Sequence, residues 1–331
     1  MTVRQRFLHA INFEPVDRLP MIEWAHWWDK THHRWQDDGL PLHLTGEDLF
    51  DYFGLEQLKC VFIRTIGPGC PSPAYHGAPI IQNEDDYRAI KPFLYTDGLI
   101  NYAVEQAKAL REGHENGDFA LRIWIDGCFW FPRSLFGIEG HLYAFFDYPE
   151  LMHEIIQDMT AFNLRAMEAV LEVITPDMVG IAEDMSYNNG PMLSKETYDE
   201  YIAPYYAKYM PLVKGRGIKI LVDTDGDVMP MIPWLVNSDI DGIYPLERQA
   251  GVDVAQIRKE YPKLIMLGAY DKMVMSKGEA AMRGEFERLL PVMRTGGFIP
   301  SVDHQTPPEV SLENYWTYRK LYEEYCIKAG G

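Results

Sequence analysis

Eight short apolar runs, separated by longer amphipathic stretches, constrain the fold of this chain more than any other feature. Short runs of continuous apolar residues are typical of parallel strands that are buried on both faces. Most of the intervening stretches have helical length and periodicity, as in 148–174, 194–217 and 278–296. The predicted strands are 19–25, 60–65, 121–127, 178–184, 218–225, 241–247, 264–271 and 297–304. This alternation of strand and helix predicts an α/β fold, a single (β/α)8 TIM barrel.

Composition narrows the class of protein further. The chain has 331 residues, of which 47% are hydrophobic and 24% charged, so we expect one barrel domain over 1–331 with an N-terminal helical extension. A net charge of −18 argues against nucleic-acid binding, and no apolar run is long enough to predict a membrane span. Four scattered cysteines and an N-terminus without a signal sequence indicate a cytoplasmic protein.

Most of the apolar runs end in a residue that can do chemistry. In a barrel these ends converge on one face, where barrel enzymes have their active sites. One such carboxylate could simply cap a helix, but a ring of them around one mouth indicates an active site. The residues at or just after the predicted strand ends are Glu23, His26, Arg64, Asp126, Glu183, Asp184, Asp223, Asp225, Glu247, Asp271, Asp303 and His304.

Four of these residues form the predicted polar centre. Asp223 and Asp225 lie two apart on a strand and therefore point to the same side, where they repel each other unless a cation or a proton joins them. His304 can bind a metal or transfer a proton near neutral pH. Glu247 is a charged residue at the end of an otherwise apolar strand, which packing alone does not explain. We predict Asp225, Glu247 and His304 as catalytic residues, and the same three with Asp223 as metal ligands.

Aromatic residues crowd two of the loops at the same mouth. The loops EWAHWW and DGCFWFP place flat apolar side chains beside polar groups, which suits a planar ligand. Trp24 and Trp124 are interpreted as packing residues. Adjacent strand residues point in opposite directions, so only one of Glu183 and Asp184 is expected in the mouth, and Glu183 is favoured. The predicted substrate-binding residues are His26, Trp27, Trp28, Asp126, Trp130, Glu183 and Tyr187.

Several motifs resemble those of the uroporphyrinogen decarboxylase superfamily. They are RQRFLHAINFEPVDRLP at the N-terminus, EDMSYNNGPMLSKETYDEYIAPYY, a strand ending in DTDGD, and SVDHQTPPEVS near the C-terminus. The resemblance covers nearly the whole chain and implies a barrel of the uroporphyrinogen decarboxylase type. That superfamily includes porphyrinogen decarboxylases, zinc-dependent corrinoid methyltransferases that act on thiols, and methyltransferases that demethylate methyl ethers.

The sequence departs from the porphyrinogen decarboxylases within this superfamily. Where those enzymes carry an arginine-rich RQAGR loop for a polycarboxylate, this chain has EWAHWWDK, and the first arginine after this segment begins is Arg34. Where they carry an aspartate after the second strand, this chain has Arg64. A substrate with several carboxylates needs cations around it, and this mouth is rich in carboxylates instead. Porphyrinogen decarboxylation is therefore disfavoured.

The resemblance implies a metal centre of altered composition. The thiol-directed methyltransferases bind zinc through a His-x-Cys pair and a further cysteine, at positions that match Asp223, Asp225 and His304 here. Oxygen ligands in place of thiolates still suit zinc and make it a stronger Lewis acid, which favours an oxygen leaving group. The change leaves open which metal binds and whether one does.

We therefore predict a corrinoid-dependent methyltransferase. It would move a methyl group from a small methoxylated, aromatic donor to cobalamin carried by a partner corrinoid protein. The alternative is a decarboxylase of a small carboxylated substrate on the same fold, and a non-enzymatic binding protein is a third reading. An acidic surface is compatible with a partner domain, and the sequence leaves open whether two chains form a homodimer.

Overall fold

The computed structural model describes residues 1–330 and has a curled sheet of seven parallel strands at its centre. Each strand pairs with the next in the order β1-β2-β3-β6-β7-β8-β9. A hairpin of β4 and β5 follows β3. The strands are β1 (Leu58–Ile63), β2 (Ala120–Asp126), β3 (Met178–Ala182), β4 (Ser186–Tyr187), β5 (Gly190–Pro191), β6 (Lys219–Thr224), β7 (Gly242–Pro245), β8 (Ile265–Tyr270) and β9 (Phe298–Val302). The predicted α/β fold is confirmed, and seven of the eight predicted strands form this sheet; a complete eight-stranded barrel is not confirmed.

Helices pack against the sheet and against each other. They are α1 (Val3–Ile11), α2 (Asp29–Asp37), α3 (Asp48–Phe53), α4 (Glu84–Ile90), α5 (Asp97–Asn116), α6 (Trp130–Phe136), α7 (Gly140–Asp147), α8 (Pro149–Leu171), α9 (Lys195–Tyr201), α10 (Ala203–Lys214), α11 (Ile232–Asn237), α12 (Val254–Glu260), α13 (Glu279–Met293) and α14 (Leu312–Ala329). Among residues 1–330, no helix combines the length and apolarity needed to cross a bilayer.

The predicted strand over 19–25 is wrong. Only Ile22 pairs with the sheet region, as a single parallel bridge to Glu56. Side chains bind the backbone of this segment instead: the N–H of Ile22 donates to the Tyr322 hydroxyl at 3.1 Å, and the N–H of Met21 donates to the Glu56 carboxylate at 2.9 Å. The segment is apolar because it is buried, but it lacks the regular ladder of hydrogen bonds that defines a strand.

This segment lies against β9 and leaves β1 with a free edge. The Glu23 carboxylate accepts hydrogen bonds from the Ser301 hydroxyl at 2.7 Å and the Val302 N–H at 3.1 Å. In β1, at the other edge of the sheet, no strand within residues 1–330 pairs with Phe62 on the side away from β2. The Phe62 N–H donates to the Gln106 side chain and the Phe62 carbonyl accepts from it, both at 3.2 Å. The sheet therefore has an open edge along β1.

The stretch 194–217, predicted as one helical unit, is two helices. The helix α9 ends and α10 begins at Ile202, whose backbone (φ −121°, ψ −59°) is not helical. Pro204 in the first turn of α10 has no N–H, so it cannot continue the ladder of α9.

Candidate active site at the carboxyl ends of the strands

Asp225, Glu247 and His304 meet just beyond the carboxyl ends of β6, β7 and β9. One oxygen or nitrogen atom of each lies within 4.8 Å of the corresponding atoms of the other two. The Nε2 atom of His304 is 3.6 Å from Oδ2 of Asp225. All three side chains are half-buried. The structure thus brings together three of the four residues predicted to bind a metal.

A glycine in the DTDGD motif shapes this site. Gly226 has a φ of +77°, and a Cβ atom there would lie 2.4 Å from the backbone of Tyr187 in β4. The Gly226 N–H donates to Oε2 of Glu247 at 2.9 Å. Only a residue without a side chain allows this close approach, and the approach fixes the position of the Glu247 carboxylate.

Lys272 joins the site from the loop after β8. Its Nζ atom lies 3.4 Å from Oε1 of Glu247, 3.4 Å from Oδ1 of Asp303, and 2.7 Å from the Gln249 side chain. Asp303 is fully buried, and burial raises the pKa of its carboxyl to about 6, although Lys272 opposes the rise. The sequence did not single out Lys272, because a lone lysine after a strand carries no distinctive pattern.

The surroundings of His304 favour the protonated, positively charged form of its imidazole. The interaction with Asp225 raises the pKa of the His304 imidazole, burial opposes this, and the charge of Glu247 adds to the rise. The ring of Trp24 stands edge-on to the imidazole, with 6.0 Å between ring centroids. Trp24, interpreted from sequence as a packing residue, therefore borders the candidate site.

Two further carboxyl groups adjoin Asp225. Burial, followed by the charges of Asp225 and Asp184, raises the pKa of Asp223 well above its usual range, against the opposing charge of Arg122. Burial and Asp225 raise the pKa of Asp184, whereas Arg133, at 3.0 Å, lowers it. The carboxyl groups beside Asp225 thus hold a proton more tightly than a carboxyl group in water does.

Strand alternation predicts Glu183 in the mouth and Asp184 turned away from it. The structure has the reverse arrangement, because Asp184 adjoins Asp225 and Glu183 is buried. Glu183 is fully buried and accepts hydrogen bonds from the N–H groups of Cys128 (2.9 Å) and Phe129 (2.7 Å) and from the Tyr206 hydroxyl (2.6 Å). Burial raises the pKa of Glu183 to about 7. Regular β3 ends at Ala182, and Asp184 has a φ of +52°, so alternation no longer applies there.

The tryptophans predicted to contact substrate lie in different environments. Trp27 is buried in an aromatic cluster with Trp35, Phe50 and Tyr315, at centroid distances of 5.0–6.1 Å. Trp28 is exposed. Trp130 is half-buried beneath the Arg133 guanidinium, which is 5.3 Å from the ring. Within residues 1–330, none of the three tryptophans forms a hydrogen bond or a ring contact with Asp225, Glu247 or His304.

The remaining predicted substrate residues are His26, Asp126 and Tyr187. His26 is exposed and stands edge-on to Phe50. Asp126 accepts a hydrogen bond from the Thr65 hydroxyl, and burial raises the pKa of its carboxyl. Tyr187 is exposed, and its backbone carbonyl accepts a hydrogen bond of 2.9 Å from the N–H of Asp227, in the loop that carries Asp225.

A curled parallel sheet with titratable groups gathered at its carboxyl ends defines an α/β protein of the class that performs chemistry at this face. The family model described as "Uroporphyrinogen decarboxylase (URO-D)" matches residues 67–325. The chain belongs to the uroporphyrinogen decarboxylase family, whose members are generally enzymes. The superfamily predicted from the motifs is thereby confirmed; the methyltransferase branch stays a prediction.

Comparison with individual proteins adds little. No curated protein matches the chain. Among solved structures, Dispersin B aligns with a TM-score of 0.35 and 12% identity, over 86% of this chain and 92% of that chain. A likeness this weak does not bear on the fold or the function.

Proposed function

We propose that this protein transfers a methyl group from a small methoxylated aromatic compound to a corrinoid carried by a partner protein. The observation that carries the proposal is the convergence of Asp225, Glu247 and His304 within 4.8 Å at the carboxyl ends of the strands. An imidazole and two carboxylates are suited to help an oxygen atom leave, either by holding a Lewis acid or by donating a proton.

The three residues fit a catalytic zinc ion. Three protein ligands of nitrogen and oxygen type, with a fourth position open, are typical of such sites. In a tetrahedron with bonds of about 2.1 Å the ligand atoms lie roughly 3.4 Å apart, which is close to the 3.6 Å between His304 and Asp225. Asp225, Glu247 and His304 would hold the zinc, which would supply a Lewis acid for the leaving oxygen. Lys272, whose Nζ atom lies 3.4 Å from Oε1 of Glu247, would have to move away from this carboxylate when the metal binds.

The chain's own groups can supply the proton that ether cleavage needs. As the methyl carbon passes to the reduced corrinoid, its bond to the ether oxygen breaks and that oxygen takes up a proton. In the alternative without a bound metal, Asp225 stabilises the protonated form of His304, whose proton can then be donated. Trp24 beside the imidazole provides a flat wall for an aromatic ring.

Lys272, Arg133 and Arg64, near this mouth, already contact other groups of the protein, and this supports a substrate with little charge. Lys272 is shared by Glu247 and Asp303, and Arg133 is paired with Asp184. The Arg64 guanidinium lies over the Tyr102 ring at 5.8 Å. A porphyrinogen with many carboxylates would need several free cations at this mouth.

A second candidate is decarboxylation of a small carboxylated substrate. The raised pKa values of Asp223 and Asp184 favour this reading, because loss of CO2 leaves a carbanion that a neutral carboxylic acid can protonate. The two reactions differ in their products, which are a methylated corrinoid in one case and CO2 in the other.

The test is anaerobic incubation of the protein with cob(I)alamin and a panel of methoxylated aromatic compounds, with zinc supplied. We expect the absorbance of methylcobalamin to appear with at least one donor. His304→Ala should lower the rate at least 100-fold, because one proton-transfer or metal-binding group contributes on the order of 10²–10⁴.

Zinc content, measured by mass spectrometry, gives a readout that is independent of activity. About one zinc per chain is expected in the parent protein and a large loss in His304→Ala. Release of CO2 from carboxylated substrates, without methylcobalamin from any donor, would replace the methyl-transfer proposal with the decarboxylase.

A further inference from the structure

Lys272 binds three oxygen atoms beside the candidate zinc site. Its Nζ atom lies 2.7 Å from Oε1 of Gln249, 3.4 Å from Oε1 of Glu247 and 3.4 Å from Oδ1 of Asp303. An ammonium group has three N–H donors, so these three acceptors use all of them. Lys272 is therefore a cation that already sits among the acidic groups of the site, and the proposed methyl transfer gives it no role.

Asp303 fixes the backbone from which the Lys272 side chain extends. Its carboxylate is fully buried and accepts hydrogen bonds from the N–H groups of Arg248, at 2.9 Å, and Lys272, at 3.2 Å. The loops after β7 and β8 are thereby both tied to the end of β9. The Lys272 side chain can therefore exchange its partners by rotation while its backbone stays in place.

Lys272 and Gly226 divide the two oxygens of Glu247 between them. The Gly226 N–H donates to Oε2, and the ammonium group of Lys272 lies against Oε1. The oxygen that Gly226 leaves free for a metal is thus the one beside Lys272. A zinc ion that takes Oε1 at about 2.0–2.2 Å therefore competes with the lysine for it.

Water screens this competition only weakly. The side chains of Lys272 and Glu247 are 15% and 17% exposed, and that of Asp303 is not exposed at all. Charges this close interact strongly at a partly buried site, where the effective dielectric constant is about 20 rather than about 80. Within residues 1–330, no other lysine or arginine forms an ion pair with Glu247 or Asp303, so Lys272 neutralises both carboxylates.

We propose that Lys272 is the resident counter-cation of this centre, and that it competes with zinc for Glu247 and so sets the affinity of the site for the metal. The inference rests on the zinc site of the proposed function. When zinc takes Oε1 of Glu247, Lys272 keeps two of its three acceptors, Gln249 and Asp303. The buried Asp303 thus keeps its partner, and the displaced ammonium group stays near the metal and repels it.

The test is titration of the full chain, stripped of metal, with zinc chloride against a chromogenic chelator at one fixed pH and without any corrinoid. We expect Lys272→Met to bind zinc about tenfold more tightly than the parent, or better, because a positive charge beside Glu247 is removed. Lys272→Gln should show the same gain, whereas Lys272→Arg keeps the charge and should bind zinc no more tightly than the parent. Lys277→Met is the matched control, because Lys277 is an exposed lysine at the end of the same loop, and it should bind zinc as the parent does.

The opposite results are equally definite. An unchanged or lower zinc affinity in Lys272→Met overturns the competition, as does an equal gain in Lys272→Arg or in Lys277→Met. If Lys272→Met does not fold, as judged by circular dichroism, Lys272→Gln takes its place, because its amide can still donate to Asp303. If both neutral variants fail to fold, Lys272→Arg decides: tighter zinc binding than in the parent overturns the proposal, and equal or weaker binding supports it.

This inference and the proposed function can fail separately. Zinc bound equally by the parent and by Lys272→Met, together with methylcobalamin formation, rejects the role of Lys272 and retains methyl transfer. Zinc bound more tightly by Lys272→Met, without methylcobalamin from any donor, retains the role of Lys272 and rejects methyl transfer. Zinc bound by neither chain overturns the competition and the metal centre together, and the cobalamin assay alone then decides on methyl transfer.

Discussion

At the scale of single residues, two glutamates are both buried but accept hydrogen bonds from different kinds of donor. Burial raises the pKa of both Glu23 and Glu183 to about 7. Glu23 accepts hydrogen bonds from two hydroxyls and one backbone N–H. Glu183 accepts from three backbone N–H groups and one hydroxyl. Hydroxyls can reverse their role and accept a bond, whereas backbone N–H groups cannot.

These partners predict different outcomes at pH 5 for the two glutamine substitutions. A carboxyl whose pKa rises from 4.5 to about 7 on folding binds its proton more tightly in the native state, so stability falls as the pH rises through that window. Glu23→Gln should remove about 3 kcal/mol of this loss, seen as a smaller difference in unfolding free energy between pH 5 and pH 8.

The comparison needs two further variants. Glu183→Gln should also reduce the pH dependence, because the pKa of Glu183 is likewise raised to about 7, but it should destabilise the chain at pH 5 by about 1–3 kcal/mol, since the amide would face a backbone N–H. The exposed Glu309→Gln should change neither value. Urea denaturation measures all of them, and an unchanged pH dependence in Glu23→Gln would contradict the assignment.

The residue scale also shows which parts of the site the sequence can predict. Asp225, Glu247 and His304 follow three of the predicted strands, and parallel strands bring their carboxyl ends together. Trp24 and Lys272 also border the site, but they could not be found because only the tertiary structure places them beside His304 and Glu247. Alternation fails at Asp184 because its left-handed backbone ends the strand pattern.

At the scale of elements, burial is predictable from sequence and hydrogen bonding is less so. The run 19–25 is as apolar as the seven true strands, and its Leu19, Met21 and Ile22 are buried. What distinguishes it is that tyrosine, serine and glutamate side chains bond to its backbone. Those partners are far away in the sequence, so no local pattern reveals them.

The element scale also gives a matched pair of glycine substitutions. Gly226→Ala should destabilise the chain and displace Glu247, because a Cβ there meets the Tyr187 backbone at 2.4 Å. Gly251 has a similar φ of +91° but nothing within 4 Å of a Cβ. Gly251→Ala should therefore cost only the backbone strain, about 1 kcal/mol.

Thermal unfolding and zinc affinity together check this pair. We expect both quantities to fall more in Gly226→Ala than in Gly251→Ala. Equal losses in the two variants would mean that contact with β4 does not position Glu247.

At the scale of the whole molecule, the excess of negative charge is the dominant electrostatic property. The chain has 49 acidic and 31 basic residues, which leaves a net charge of −18. Self-repulsion destabilises a compact state of high net charge, and salt screens repulsion between exposed groups. Most of the ion pairs involve partly exposed groups and are worth little each.

We therefore expect the Tm to rise when the ionic strength is raised from about 0.01 to 0.15 M. Over this range the Debye length shortens from about 30 to 8 Å. Differential scanning calorimetry measures the change. Choline chloride should act as sodium chloride does if the cause is screening rather than binding of a particular cation. A falling Tm would show that screened ion pairs outweigh the screened repulsion.

The bonds between Tyr322 and the segment 19–25 have a consequence for the order of events during synthesis. The helix α14 carries Tyr318 and Tyr322, which hold Glu23 and Ile22, and Trp24 follows directly in the chain. A nascent chain still attached to the ribosome, with α14 inside the exit tunnel, lacks the groups that fix this early segment. The part of the site that contains Trp24 is thus fixed in place only after α14 has been translated and has left the tunnel.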